Sequence, residues 1–587
     1  MFQSFEVTAR PEQGPPRLQA LRAAMAQSGL DAFIVPRADA HQGEYVAPHD
    51  ERLAWLTGFT GSAGFAVVTQ SRAAVFVDGR YRVQVRAQVA DVFEPVDWPE
   101  TSLDAWLKDA MPKGVVGYDP WLHTPREIRQ LVAAGIELKA VRNPVDAIWD
   151  DQPAPPVGRV ISQPDALAGR SSAEKRGGLA EELRAAGCTA CVITLPDSLS
   201  WLLNIRGEDI PRNPVVHGMT ILHDTGDVDL FIDAAKLADV DLGAGVTLHA
   251  PDAFIPACAA LTGLVMADPD TAPQAVFDVL SDVHEARDPC LLPKACKTEA
   301  EISGARTAHL RDAVAMVHFL HWLETHAPGD LTEIDVATKL EGFRRETNQL
   351  RDISFETISG AGPHAALPHY RVTKDSNRAL KEGEVYLVDS GGQYQDGTTD
   401  ITRTIGIGPQ ADHVRRAFTR VLQGMIGISR LRFPPGISGA DIDSVARVAL
   451  WAAGQDYAHG TGHGVGAYLS VHEGPQRLAR TGREPLQKGM ILSNEPGFYA
   501  EGEFGIRIEN LIVVEPAPRQ PDQSLPELLQ FETLTFVPID RHMIEREMLT
   551  APEREWMNSY HADCLEKLSP HVTGDVAEWL RAACAPL

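Results

Sequence analysis

Four carboxylates and one imidazole follow one another in the last third of this 587-residue chain: Asp389 and Asp400 in VDSGGQYQDGTTDITRT, His463 in HGTGHGVG, Glu495 in SNEPGFY and Glu509 in GIRIEN. The acids sit beside apolar, strand-like runs, which tolerate buried carboxylates only where something positive neutralises them. The chain is thereby confined to folds that gather these strand ends around a common space. Oxygen-dominated ligation with a single imidazole suits two hard divalent cations, and two such cations sharing a hydroxide give a hydrolytic nucleophile at neutral pH. The set reads first as a dinuclear metallohydrolase.

The local sequence explains how each acid is delivered. Val385–Val388 is a strand run that ends on Asp389, Asp396-Gly397 is a turn signal, and TTDITRTI resumes β-branched character around Asp400. Met490-Ile491-Leu492 leads into Glu495, and Phe504 to Ile508 leads into Glu509 before another apolar run. Two acidic hairpins of similar size predict an internally duplicated domain with its site between the halves. In HGTGHGVG, glycines 460, 462, 464 and 466 let backbone pass close by, and His459 and His463 supply imidazoles. Neither cysteine nor a short His-x-x-x-His pair takes part, which argues against a structural zinc site. Any one of these acids alone reads as a turn or surface residue; the joint pattern does not.

Composition narrows the partners. The chain carries 54 Lys plus Arg against 80 Asp plus Glu, a formal charge of −26, so neither nucleic acid nor an anionic membrane is an expected partner. The start, MFQSFEVTARPEQGPP, lacks a basic region followed by an apolar core and does not read as a secretory leader. The longest uncharged stretch, residues 253–267, contains Pro256 and is shorter than the ~20 apolar residues of a spanning helix. Seven cysteines are scattered, and the close pair Cys188 and Cys191 has no second pair to complete a zinc or redox motif. A reducing cytoplasm is the expected setting.

Length and a 44% hydrophobic content require several cores. An acidic, proline-rich joint at residues 150–156 ends a first domain, 1–156. Thr298 and Glu301 form a capping-box signal, with Ile302, Ala305, Ala313, Val317 and Leu320 following at helical spacing. The second domain is therefore set at 157–297 and the third at 298–587, with a helical tail from about residue 541. RLQALRAAMAQSGLDAFIVP and GGLAEELRAAGCTACVITLP, each followed by a Trp-Leu helix and glycine, form a weak internal repeat of α/β units.

The five positions, their order and their flanking words resemble the pita-bread metallopeptidases of family M24, within them the long three-domain aminopeptidase P (Xaa-Pro aminopeptidase) group. DAHQGEYVAP, GFTGSAGFAVVT and FVDGRY near the start, and SYH and EWL in the tail, extend the resemblance over nearly the whole chain. It implies an α/β and α+β fold class: two creatinase-like α/β domains, then a pita-bread catalytic domain. It implies two divalent cations, usually manganese, with Asp389 on one, His463 and Glu495 on the other, and Asp400 and Glu509 bridging. Glu495 is also the implied acid/base group. His369 in LPHY, His459, and His472 in SVHEGP match histidines that bind substrate, stabilise the oxyanion or move protons, and Arg80 matches an arginine close to substrate. The implied activity is release of the N-terminal residue from peptides with proline second, by a cytoplasmic homodimer. A prolidase would share the site but prefer dipeptides, and a pita-bread binding module would have lost ligands. Gly392 where the family often has Ala, and Pro368 before His369, depart from the pattern without touching a ligand.

Overall fold

The computed structural model describes all residues from Met1 to Leu587. The chain divides into two compact units: Thr8–Asp165 with Arg170–Leu291, and Met1–Val7 with Ala166–Gly169 and Leu292–Leu587.

The first unit carries two six-stranded sheets of the same plan. In one, the order is Glu94–Asp97, Ala73–Val77, Phe65–Thr69, Ala32–Pro36, Val115–Tyr118, Glu137–Ala140; in the other it is Val246–His249, Val228–Phe231, Met219–His223, Ala190–Ile193, Val265–Ala267, Val283–Glu285. Strand senses agree position by position, with parallel pairs towards both edges and antiparallel pairs between. In each, a helix (Gly14–Gln27 or Ser172–Ala185) precedes the strand that pairs parallel with the fifth, and a short helix (Arg52–Thr57 or Pro196–Leu202) follows it. The repeat seen in the sequence is thus a repeat of α/β units. Cys188 and Cys191 are buried and unpaired, and burial raises both thiols.

The second unit opens on a 28-residue helix, Glu299–His326, whose Thr298/Glu301 capping box forms as the sequence predicts. Helices Glu333–Glu346, Asp412–Ser429 and Gly439–Trp451 follow, and strands fill the space between them. One three-stranded sheet runs Ile358–Ala361, Val385–Ser390, Ile401–Gly406; a six-stranded sheet runs Arg432–Phe433, Leu529–Thr533, Asn510–Pro516, Ile491–Asn494, Gly462–Gly464, Glu473–Leu478. The three-stranded sheet enters a core containing Val385, Leu387, Phe418, Leu422, Ile506 and Ile508, while the six-stranded sheet buries Leu492, Ile512 and Phe531 in one separate cluster and Ile491, Leu511 and Val513 in another. The tail is helical over Ala551–Leu568 and Gly574–Ala583, and Met557, Tyr560, Cys564 and Leu580 pack into that same core.

Candidate active site

Each pair of acids stands where a hairpin parts. Val385–Ser390 and Ile401–Gly406 pair antiparallel, with Asp389 opposite Thr402 and Ser390 opposite Ile401, so Asp400 falls one residue beyond the last pair. In the second hairpin Asn494 opposite Asn510 closes the ladder; Glu495 follows the one and Glu509 precedes the other. Beyond each closing pair the chain makes a short excursion, Gly392–Tyr394 with Gly397–Thr398 in the first and Gly497–Ala500 with Phe504–Arg507 in the second. Carboxylates directly opposed on a ladder repel; at the parted ends they turn towards one space.

The imidazole comes from the strand Gly462–Gly464, which joins the second hairpin through Gly464 opposite Leu492. Ser493 binds the two together, since its hydroxyl accepts from the His463 amide at 2.9 Å and donates to Glu495 Oε1 at 3.0 Å. A Cβ on Gly462 would run into the Ser493 carbonyl oxygen, so only glycine permits this approach.

One ligand atom from each of Asp400, His463 and Glu509 lies within 4.8 Å of the others. His463 Nε2 is 3.5 Å from both Asp400 Oδ2 and Glu495 Oε1. Asp389, Asp400 and Glu509 are 7%, 4% and 1% exposed, and Asp389 Oδ1, Asp400 Oδ1 and Glu509 Oε1 have no hydrogen-bond partner. Burial drives the Asp389 carboxyl up to about 7, with Arg507 opposing and Asp400 and Glu495 adding to the rise. Burial and neighbouring acids likewise raise Glu509 well above the usual range, and burial raises Glu495 against the pull of His463. Burial alone would lower His463, but Asp400 and Glu495 outweigh it and push the imidazole up to about 9. Buried carboxylate oxygens without donors fit divalent cations, the more so where burial opposes ionisation as at Asp389 and Glu509, and the oxygen-rich donor set fits hard ones.

The structure adds groups that the sequence does not single out. The fully buried Arg507 guanidinium donates to Asp389 Oδ2 at 2.6 Å, to the Tyr499 hydroxyl at 2.7 Å and to Thr402 Oγ1 at 3.1 Å. Thr402 Oγ1 in turn donates to Glu509 Oε2 at 2.8 Å. A signal existed in proximity alone: Arg507 lies two residues before Glu509, and Thr402 two after Asp400. Behind them the buried Arg403 donates to the Glu509 carbonyl at 2.6 Å and to the Tyr560 hydroxyl at 2.9 Å, which ties the helical tail to the segments that carry the acids.

Among the expected histidines, His472 meets His463 edge-on with ring centroids 4.2 Å apart. His459 Nε2 shares a hydrogen with the Tyr499 hydroxyl at 2.8 Å, which connects it to Arg507. His369 is half-buried in the turn after Gly362–Ala366. Arg80 belongs to the other unit, where its Nη2 meets Asp78 Oδ2 at 2.7 Å and its guanidinium lies over the Tyr81 ring.

Metallopeptidase family M24 matches residues 303–516 and the C-terminal region of peptidase M24 matches 527–587. The creatinase/prolidase N-terminal domain matches twice, over 17–148 and 151–301. Aminopeptidase P2 of Arabidopsis thaliana is 38% identical over 95% of this chain and 86% of its own length. A probable Xaa-Pro aminopeptidase P of Laccaria bicolor is 38% identical over 97% and 93%. The crystal structure of X-prolyl aminopeptidase from Caenorhabditis elegans, described as a cytosolic enzyme with a di-nuclear active site, superposes with a TM-score of 0.93 at 33% identity, covering 97% of this chain and 99% of that one. With the fold, the paired acidic hairpins and relatives matched along their length in agreement, this chain belongs to the Xaa-Pro aminopeptidase P group of metallopeptidase family M24.

Proposed function

We propose that the protein is an Xaa-Pro aminopeptidase that hydrolyses the bond between an N-terminal residue and a following proline and releases that residue. Asp389, Asp400, His463, Glu495 and Glu509 would hold two divalent cations, manganese in the working enzyme. The observation that supports this is the cluster of Asp400, His463 and Glu509, with Glu495 3.5 Å from His463 and with oxygens of Asp389, Asp400 and Glu509 that no protein donor satisfies. When bound, such cations neutralise the carboxylates, polarise the scissile carbonyl and acidify water between them.

The chain's own groups then have distinct work. Glu495, oriented by the Ser493 hydroxyl, takes the proton of the attacking water and passes it to the prolyl nitrogen as the C–N bond breaks. His472, beside His463, donates to the oxyanion as the carbonyl carbon becomes tetrahedral. His369 and His459 bind substrate, His459 being steadied by Tyr499. Arg507 opposes the rise of the Asp389 carboxyl and aims it.

Three domains, at 1–156, 157–297 and 298–587, account for the separate matches to the two amino-terminal domains and the catalytic region. A homodimer is proposed on Val448 and Trp451, which are 58% and 43% exposed on one helix of the catalytic unit, an apolar pair that suits a partner surface. A cytoplasmic setting agrees with cysteines that form no disulfide and with the cytosolic description of the Caenorhabditis elegans relative. No helix is long and apolar enough to cross a membrane.

Incubation with Arg-Pro-Pro, Arg-Ala-Ala and the dipeptide Arg-Pro, with products identified by mass, tests the substrate class. Free arginine from Arg-Pro-Pro in preference to both others is expected. Faster cleavage of Arg-Pro would move the activity to a prolidase, and equal cleavage of Arg-Ala-Ala would remove the proline requirement.

A further inference from the structure

We propose that Lys294 and Lys297 position His472 for catalysis by clamping the carboxylate of Glu473, the next residue in the chain; this rests on the role given to His472 above. Two ammonium groups converge on that single carboxylate. Lys294 Nζ stands 3.0 Å from Glu473 Oε2, and Lys297 Nζ bonds Glu473 Oε1 directly. All three side chains are 1% exposed or less. Lys297 is itself fixed, its Nζ donating to the Lys294 carbonyl at 2.9 Å and its amide to the Gly489 carbonyl at 3.1 Å.

So many buried charges are costly unless their geometry is held, and here the fixed geometry sits one peptide from an imidazole that packs on a proposed ligand. Glu473 begins the strand Glu473–Leu478 and lies opposite Gly464, with a shift of register between His463 and Gly464. A Cβ on Gly466 would stand 3.0 Å from Glu473 Oε2, so the carboxylate also backs the glycine loop that carries His463. Lys294 and Lys297 come from the segment just before the helix Glu299–His326. That segment is therefore part of the catalytic apparatus, and the two lysines and Glu473 are positioning residues acting through His472.

The test is a double-mutant cycle on the manganese-loaded, full-length enzyme with Arg-Pro-Pro, comparing Glu473→Gln, His472→Ala and the double variant, with metal content measured on each. Glu473→Gln is expected to lower kcat by about 10- to 100-fold, the scale of a small misplacement, with KM and metal content unchanged. The double variant should be no slower than His472→Ala, because residues acting as a unit do not add. Lys297→Arg should keep activity and Lys297→Gln should lose it; Lys297→Gln replaces Glu473→Gln in the cycle if the latter fails to fold. Losses that multiply in the double variant, or an unchanged kcat in Glu473→Gln, would overturn the clamp while leaving the role of His472 intact. An unchanged kcat in His472→Ala would overturn that role and the clamp with it.

Discussion

Arg507 and Asp389 form a buried ion pair, 2.6 Å between Nη2 and Oδ2, with the guanidinium 2% exposed. The same guanidinium holds Tyr499 and Thr402, so one cation organises the base of the site. Arg507→Leu removes the partner of a buried carboxylate, a loss of about 3–5 kcal/mol. The expected result is a lower midpoint in denaturant for the catalytic unit and weaker metal binding, read by unfolding curves and by metal titration.

Acidity gives a second prediction. In metal-free protein Asp389 is raised to about 7 and His463 to about 9, both above their ordinary values. Groups raised in the folded state contribute stability that is full below their unfolded pKa and is lost as pH rises through the folded value. Metal-free protein should therefore lose stability from about pH 4 to 7 through Asp389 and from about 6.5 to 9 through His463. If Asp389 and His463 hold the cations as proposed, metal binding must displace those protons. Calorimetry at pH 7 in buffers of different ionisation enthalpy should show proton release on loading, and affinity should weaken from pH 8 to 6. Loading without proton release would contradict the assignment.

Close backbone approach gives a third. Gly462→Ala places a Cβ against the Ser493 carbonyl and pushes His463 away from Glu495. Metal affinity should fall by about 10- to 100-fold, as when outer support of a ligand is lost, and elemental analysis of dialysed protein measures it.

Thr402→Val isolates a smaller support. It deletes the donor to Glu509 Oε2 and the acceptor of Arg507 Nε at nearly constant volume. Metal affinity and kcat should both drop, by less than for Asp400→Ala, and an unchanged affinity would show that Glu509 needs no such donor.

The acidic strand ends were legible because carboxylates at the ends of apolar strands are expensive in any fold, so residue type and order alone singled out Asp389, Asp400, Glu495 and Glu509. The capping box at Thr298 was legible for a local reason: donor and acceptor lie three residues apart. Arg507 and Arg403 were not, since an arginine in a strand reads as solvent-facing until its partners are known, and those partners lie up to 157 residues away. Nor did local pattern show that Gln3 reaches the Thr357 carbonyl from the other end of the chain. Long-range pairing leaves no period in the sequence. The repeat of α/β units was visible as helix-then-strand, while its shared strand order needed the structure.

Stepwise addition of manganese to metal-stripped protein, with arginine release from Arg-Pro-Pro followed at each step beside Asp400→Ala, decides whether the enzyme is a dinuclear hydrolase. The expected result is no cleavage without metal, saturation at about two equivalents per chain, and no cleavage by Asp400→Ala at any addition. Cleavage in excess chelator, or wild-type rates from Asp400→Ala, would rule out a metal site built on Asp400.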